Sequence, residues 1–157
     1  MEVINSDFGR YLEDFKQDTI IKHWPGKTIT ESDNNLFSLL TMNHHPVHLD
    51  QYYAGQQQHG QVLVVGTLVF SLVVGLTVRD ISGKAIANLN YSEINHHGPV
   101  HIGDTLYAET EILSVRESKS KTDRGIVKVT TKAYNQKEEM VLSFSREVLV
   151  KKRPINE

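Results

Sequence analysis

Two hydrophobic patterns divide the chain. From Val62 to Val78 the sequence VLVVGTLVFSLVVGLTV carries no charge over 17 residues. That length without turn signals predicts a helix buried on all sides, because strands rarely exceed about 10 residues. The run sits near the lower limit of about 17 residues for a membrane span, and Gly66, Thr67, Ser71, Gly75 and Thr77 dilute it, so a core helix is expected rather than a spanning one. After it the pattern changes to alternation. Ala85–Ile94, Thr105–Glu117, Gly125–Asn135 and Met140–Lys151 read as strands separated by Gly, Asn and charged turns. In TLYAETEILSV the residues Leu106, Ala108, Thr110, Ile112 and Ser114 fall on one side.

Before the apolar run the elements are shorter. Thr19 to Thr28 reads as strand broken by a Pro25–Gly26 turn. Thr30 can cap a helix, with Asp33 three residues on in capping-box spacing, and Leu36, Phe37, Leu39 and Leu40 give that helix an apolar face. Pro46 interrupts the pattern, so Met42 to Val47 is expected as a loop, and HLDQYYAG resumes a short helix ended by Gly55. The class is α+β: one domain over 1–157, with an antiparallel sheet wrapped around the buried helix. A sheet covers only part of an all-apolar helix, so a second copy of the chain is expected against the rest, as a homodimer.

Composition removes several alternatives. A net charge of −2 without long runs of one sign lacks the basic footprint of a nucleic-acid binder, and the terminal KKR (Lys151–Arg153) reads as a solvated end. With no cysteine there are no disulfides, no thiolate chemistry and no sulfur-ligated zinc, in keeping with a reducing compartment. MEVINSDFGR has no apolar core and is not a secretory signal, so a cytoplasmic protein is expected.

The candidate chemistry lies in TMNHHPVHLD, Thr41 to Asp50, whose NHHPVH is echoed by NHHGPVH at Asn95–His101. Metal is not expected, because these histidines flank a proline in a loop, where no helical spacing aligns them as ligands. His44, His45, His96 and His97 read as exposed loop polarity, and the echo as chance. His48 follows Pro46 where a helix restarts, between apolar Val47 and Leu49, a position that can fix its orientation. With an unperturbed pKa near ~6.5 it could exchange protons; a purely structural histidine is an equal reading on chemistry alone. Asn43 could hold water or a carbonyl but cannot carry a proton.

The order of these features resembles the MaoC-like (R)-specific enoyl-CoA hydratases and dehydratases of the hot-dog fold. Their motif reads Ser-Gly-Asp, one residue, Asn-Pro, one residue, His, one residue, Asp. Here the corresponding run is Thr41-Met42-Asn43-His44-His45-Pro46-Val47-His48-Leu49-Asp50. GPVHIGDTL (Gly98–Leu106) is similar to the family's Pro-Val-x-x-Gly-Asp-Thr-Leu turn, and AYNQKEEMVLSFS (Ala133–Ser145) to its last two strands. The resemblance implies that His48 is the catalytic histidine. It also implies that the backbone N–H of Gly66, at the start of the central helix, polarises a thioester carbonyl. The family's catalytic aspartate falls at Asn43, a departure that resembles the branch acting on mesaconyl-CoA and β-methylmalyl-CoA. Asn43 would then position water while His48 alone moves the proton, unless Asp33 or Asp50 supplies a carboxylate.

The implied activity is reversible syn addition of water to a trans-2-enoyl-CoA, giving a 3-hydroxyacyl-CoA. No cofactor is implied, since CoA belongs to the substrate; Arg79, Lys84, Arg116, Lys119 and Lys121 are available to its phosphates, although solubility explains each as well. One alternative is a non-catalytic acyl-CoA-binding hot-dog module. Another is a hot-dog thioesterase, which the absence of a carboxylate from Val62–Val78 opposes.

Overall fold

The computed structural model describes residues 1–155. Strands β1 (Thr19–Lys22), β2 (Lys27–Thr28), β3 (Ala85–His96), β4 (Thr105–Glu117), β5 (Arg124–Tyr134) and β6 (Met140–Lys151) form one antiparallel sheet. Its order is β1-β4-β5-β6-β3, with β2 also pairing with β4. The helices are α1 (Glu31–Leu40), α2 (Pro46–Leu49), α3 (Gln51–Gly55) and α4 (Gly66–Thr77), and α4 runs into a π-helical turn at Val78–Ser82. A curved antiparallel sheet around one long apolar helix is the hot-dog arrangement.

Alternation in β4 sets its register on the helix. Leu106, Ala108, Thr110 and Ile112 are all buried, as their spacing predicts, and a bulge between Ile112 and Ser114 ends the strict alternation. Leu68, Val69, Val73 and Thr77 form the deeply buried stripe of α4. The first three meet Leu106 and Ala108 of β4, Ala133 of β5 and Leu142 and Phe144 of β6 in one continuous core. Burying a side chain such as Val73 or Leu142 contributes roughly 1.5–3 kcal/mol. Within one chain α4 is covered only in part, as expected of a single sheet: Thr67, Ser71 and Gly75, one turn apart, stay exposed.

A second core lies at the other end of the sheet. Leu12 and Phe15 join Ile81, Ile112, Val127, Val129, Val148 and Val150 there. The N-terminal segment reaches this core because Gly9 lies against Gly83, where an added Cβ on either residue would come within 2.7 Å of the other's backbone. The KKR end is largely exposed, as expected, and makes surface contacts. Lys152 Nζ pairs with Glu117 at 2.6 Å and Arg153 N donates to Glu13 Oε2 at 2.9 Å.

Helix α1 is capped as expected: Asp33 N donates to Thr30 Oγ1 at 3.2 Å and Thr30 N to Asp33 Oδ2 at 2.8 Å. Its buried face is not the expected one. Asn34 and Ser38 are fully buried, whereas Leu36, Leu39 and Leu40 are 60%, 59% and 74% exposed. Asn34 turns inward to bond the backbone of His48 and Val65, whereas the buried Ser38 hydroxyl has no hydrogen-bond partner among the described residues.

Candidate active site

The histidine loop is built by short caps. Thr41 closes α1, and Asn43 N returns to Ser38 O at 3.0 Å. Helix α2 then starts at Pro46, within the segment expected as loop, because proline suits the first helical position and His45 caps it. His45 Nδ1 accepts from Val47 N at 3.1 Å, so His45 has a structural task beyond exposed polarity. Asp50 ends α2 and caps α3, its Oδ1 accepting from Tyr53 N at 2.8 Å.

The two echoing motifs hold the same piece of chain. Leu63 N donates to Val47 O at 3.1 Å, and His48 Nδ1 donates to Leu63 O at 2.7 Å. From the other side Val64 N donates to Val100 O at 2.9 Å, and His101 Nδ1 donates to Val62 O at 3.2 Å. Each Pro-Val-His therefore offers a valine carbonyl and a histidine N–H to the extended entry of α4. The likeness that reads as chance in the sequence has a common structural use.

This pinning fixes the chemistry of His48. A carbonyl only accepts, so the proton of the neutral ring must sit on Nδ1, and Nε2 keeps its lone pair. Half-buried His48 lines a cleft of about 230 Å³ with Glu31, Asn35, Gln61, Val62 and Ile102. Three residues after Leu63, Gly66 opens α4. Its N-cap is Val65, which has no side-chain acceptor, so the first-turn N–H groups carry the positive end of the helix without a capping side chain. The His96 ring packs there: a Cβ at Gly66 would stand 3.3 Å from its Cε1 and Nε2. His97 bonds Ser143 Oγ through Nε2 at 2.7 Å, while His44 remains an exposed loop residue.

Asn43 is half-buried, and its Oδ1 accepts from His45 N at 3.4 Å. No hydrogen bond joins it to His48 among the described residues. Both carboxylates weighed for its place serve helix caps. Asp33 is held by Lys27 at 2.8 Å and by Thr30 N, with its pKa lowered to about 2 chiefly by the Lys27 hydrogen bond. Asp50 is engaged in the α3 cap. Glu31, which sequence reasoning passed over, is the carboxylate that shares the His48 cleft. Asn34 was also missed. It is fully buried and bridges His48 O (3.0 Å, from Nδ2) and Val65 N (3.0 Å, to Oδ1). Its only sequence signal was a polar residue where α1 had to pack.

A larger cleft of about 650 Å³ lies near Lys22, His23, Trp24, Tyr107 and Tyr134. Its histidine is structural: the ring is 1% exposed and bonds Asp80 Oδ2 (2.8 Å) and the fully buried Thr110 Oγ1 (2.7 Å), so neither it nor that hydroxyl is open to the cleft. The smaller cleft beside His48 is the one with a free acceptor. Among the described residues no three His, Asp or Glu side chains are grouped so as to hold a metal ion. None of the described helices is long and apolar enough to cross a membrane.

Known proteins resemble this chain over most of its length. The MaoC-like domain family matches residues 15–135. A mesaconyl-CoA hydratase of Cereibacter sphaeroides is 35% identical over 150 residues, covering 96% of this chain and 43% of that protein. A β-methylmalyl-CoA dehydratase of Chloroflexus aurantiacus is 36% identical over 149 residues, covering 94% and 42%. The chain thus spans less than half the length of these curated relatives. Among solved structures, a MaoC domain protein of Chloroflexus aurantiacus superposes with a TM-score of 0.91 at 33% identity, over 99% of this chain and 44% of that one. A double-hot-dog protein of Mycobacterium tuberculosis superposes with a TM-score of 0.85 at 20% identity, over 95% and 46%.

Proposed function

The chain belongs to the MaoC-like domain family, and from that premise we propose that it is an acyl-CoA hydratase or dehydratase. Water adds reversibly across the double bond of a trans-2-enoyl-CoA to give a 3-hydroxyacyl-CoA, and the relatives' names favour a branched, dicarboxylic acyl group. His48 Nε2 takes a proton from water as its oxygen bonds the β-carbon, then returns that proton to the α-carbon on the same face. Asn43 orients the water. The Gly66 N–H stabilises the enolate-like oxygen that forms between the two steps. CoA is part of the substrate, so no cofactor is required, and the reaction suits a cytoplasmic protein.

One observation carries this reading: the His48 Nδ1–H bond to Leu63 O leaves Nε2 as an open acceptor, and ties the ring to a residue three positions before the start of α4, which has no side-chain cap. A second copy of the chain completes the molecule. Relatives twice as long, and one with a double hot-dog, support a partner domain, as do the exposed leucines of α1 and the uncovered stripe of α4.

The test is an assay against linear, branched and dicarboxylic enoyl-CoAs, with hydrated product and free CoA read together. His48→Ala should lower the hydration rate by about 10²-fold or more. Full activity in that variant would remove His48 from the mechanism. The amide at Asn43 favours one other reading, a non-catalytic acyl-CoA-binding module, which predicts saturable binding without turnover on every substrate. Free CoA without hydrated product would mean a thioesterase.

A further inference from the structure

We propose that Asn34 is a positioning residue that sets the place of the His48 imidazole relative to the start of α4. The inference rests on the reading of His48 as the acid/base and of the Gly66 N–H as the oxyanion donor. Asn34 belongs to neither group. It lies on the inward face of α1, fully buried, with both arms of its amide engaged. Nδ2 donates to His48 O at 3.0 Å, and Oδ1 accepts from Val65 N at 3.0 Å.

The chemistry of these partners leaves one orientation for the amide. A carbonyl can only accept and a backbone N–H can only donate, so a flipped amide would oppose both. Asn34 thus ties together two places that are distant in sequence: the residue carrying the base and the residue just before Gly66. The other ties run through Leu63, whose N–H reaches Val47 O and whose carbonyl receives His48 Nδ1–H. Asn34, His48, Leu63 and Val65 form a closed loop of bonds and chain, so moving one member moves the others. Removing the amide frees the His48 carbonyl and leaves Val65 N, on a residue only 2% exposed, without its acceptor. Both the base and the oxyanion donor then shift, and a misplacement of about 1 Å can cost about 10²-fold in rate. Helix α1 thereby contributes to the reaction without touching the substrate.

The experiment follows imidazole nitrogen shifts in 15N-labelled full-length protein, with the His48 signals assigned by their loss in His48→Ala. The native protein should show His48 protonated at Nδ1 and bare at Nε2. Asn34→Ala should move it toward the mixture of tautomers of a free imidazole. In the same variant kcat should fall about 10- to 100-fold, with KM changed by less than about threefold. Asn34→Asp retains an acceptor for Val65 N but loses the donor to His48 O; it should also lower kcat, and it carries the test if Asn34→Ala does not fold. In a His48→Ala background, Asn34→Ala should cost less than about twofold more, because the two residues act as one unit. Val129→Ala, in the distant core, should lower Tm while leaving the His48 signals and kcat unchanged. Native tautomer and native kcat in the Asn34 variants overturn the proposal, as does a loss that persists undiminished without His48. If the native protein hydrates no enoyl-CoA, the hydratase reading fails, and the nitrogen shifts still decide whether Asn34 holds the ring.

Discussion

At position 43 an amide stands where a carboxylate would be expected, and its surroundings suit an amide. Its carbonyl oxygen faces the His45 N–H at 3.4 Å, leaving the NH2 arm as a donor for water or substrate. A carboxylate has no such donor. Asn43→Asp should therefore lower hydration about tenfold, the effect of one lost hydrogen bond in the transition state, as measured by kcat/KM on the best enoyl-CoA. Activity that appears only in the variant would instead support the binding-module reading. Single residues were legible to the extent that their roles are local. His48 and Gly66, whose roles are proposed above, came from the family resemblance, and the Thr30–Asp33 cap from a four-residue spacing. Asn34 was not legible, because its partners lie 14 and 31 positions away. Nor was the use of the echo: Pro46-Val47-His48 and Pro99-Val100-His101 acquire a shared meaning only when Val62–Leu63 lies between them.

Among the elements, the strands agreed with the sequence closely, since alternation reports directly which side faces the core. Helix α1 did not. Its leucines formed the obvious apolar face, yet packing chose Asn34 and Ser38: Asn34 supplies polar partners to His48 O and Val65 N, while the Ser38 hydroxyl is buried without a partner among the described residues. A comparable polar seam joins the far end of α4 to the sheet. There His23, only 5% exposed, bridges Asp80 and Thr110, and Thr110 Oγ1 meets Thr131 Oγ1 at 2.8 Å. Burial pushes the His23 pKa below its ordinary 6.5; Asp80 opposes the shift, while Arg146 and Arg10 add to it. The unfolded chain thus binds a proton more readily than the native protein. The contribution of neutral His23 is fully present above pH 6.5 and is lost as pH falls from there through the lower native value. Thermal unfolding followed from pH 8 downward should show Tm declining in that window. His23→Gln should be less stable at neutral pH and should lack that part of the decline.

For the whole molecule, the question left by the sheet is what covers β3. It is the terminal strand, and after Ala85 all of its residues are exposed. Proteins commonly blunt such an edge with bulges and charges. Here the ladder to β6 is shifted between Ala85 and Ala87, between Asn88 and Asn90, and between Ser92 and Asn95. The residues displaced from the ladder include Ile86, Leu89 and Ile94, which are 39%, 46% and 44% exposed. Bulges that display aliphatic side chains bend the strand but do not make it repellent to a partner. On the reading proposed above, a second copy of the chain is the cover expected for β3. A pair of lysines at these sites would place charge inside such an interface while leaving the monomer's core untouched. Leu89→Lys with Ile94→Lys should therefore convert a dimer to a monomer of unchanged secondary structure, read by light scattering and sedimentation alongside circular dichroism. A native protein that is already monomeric at micromolar concentration, or a double variant that remains dimeric, would place the partner elsewhere or remove it.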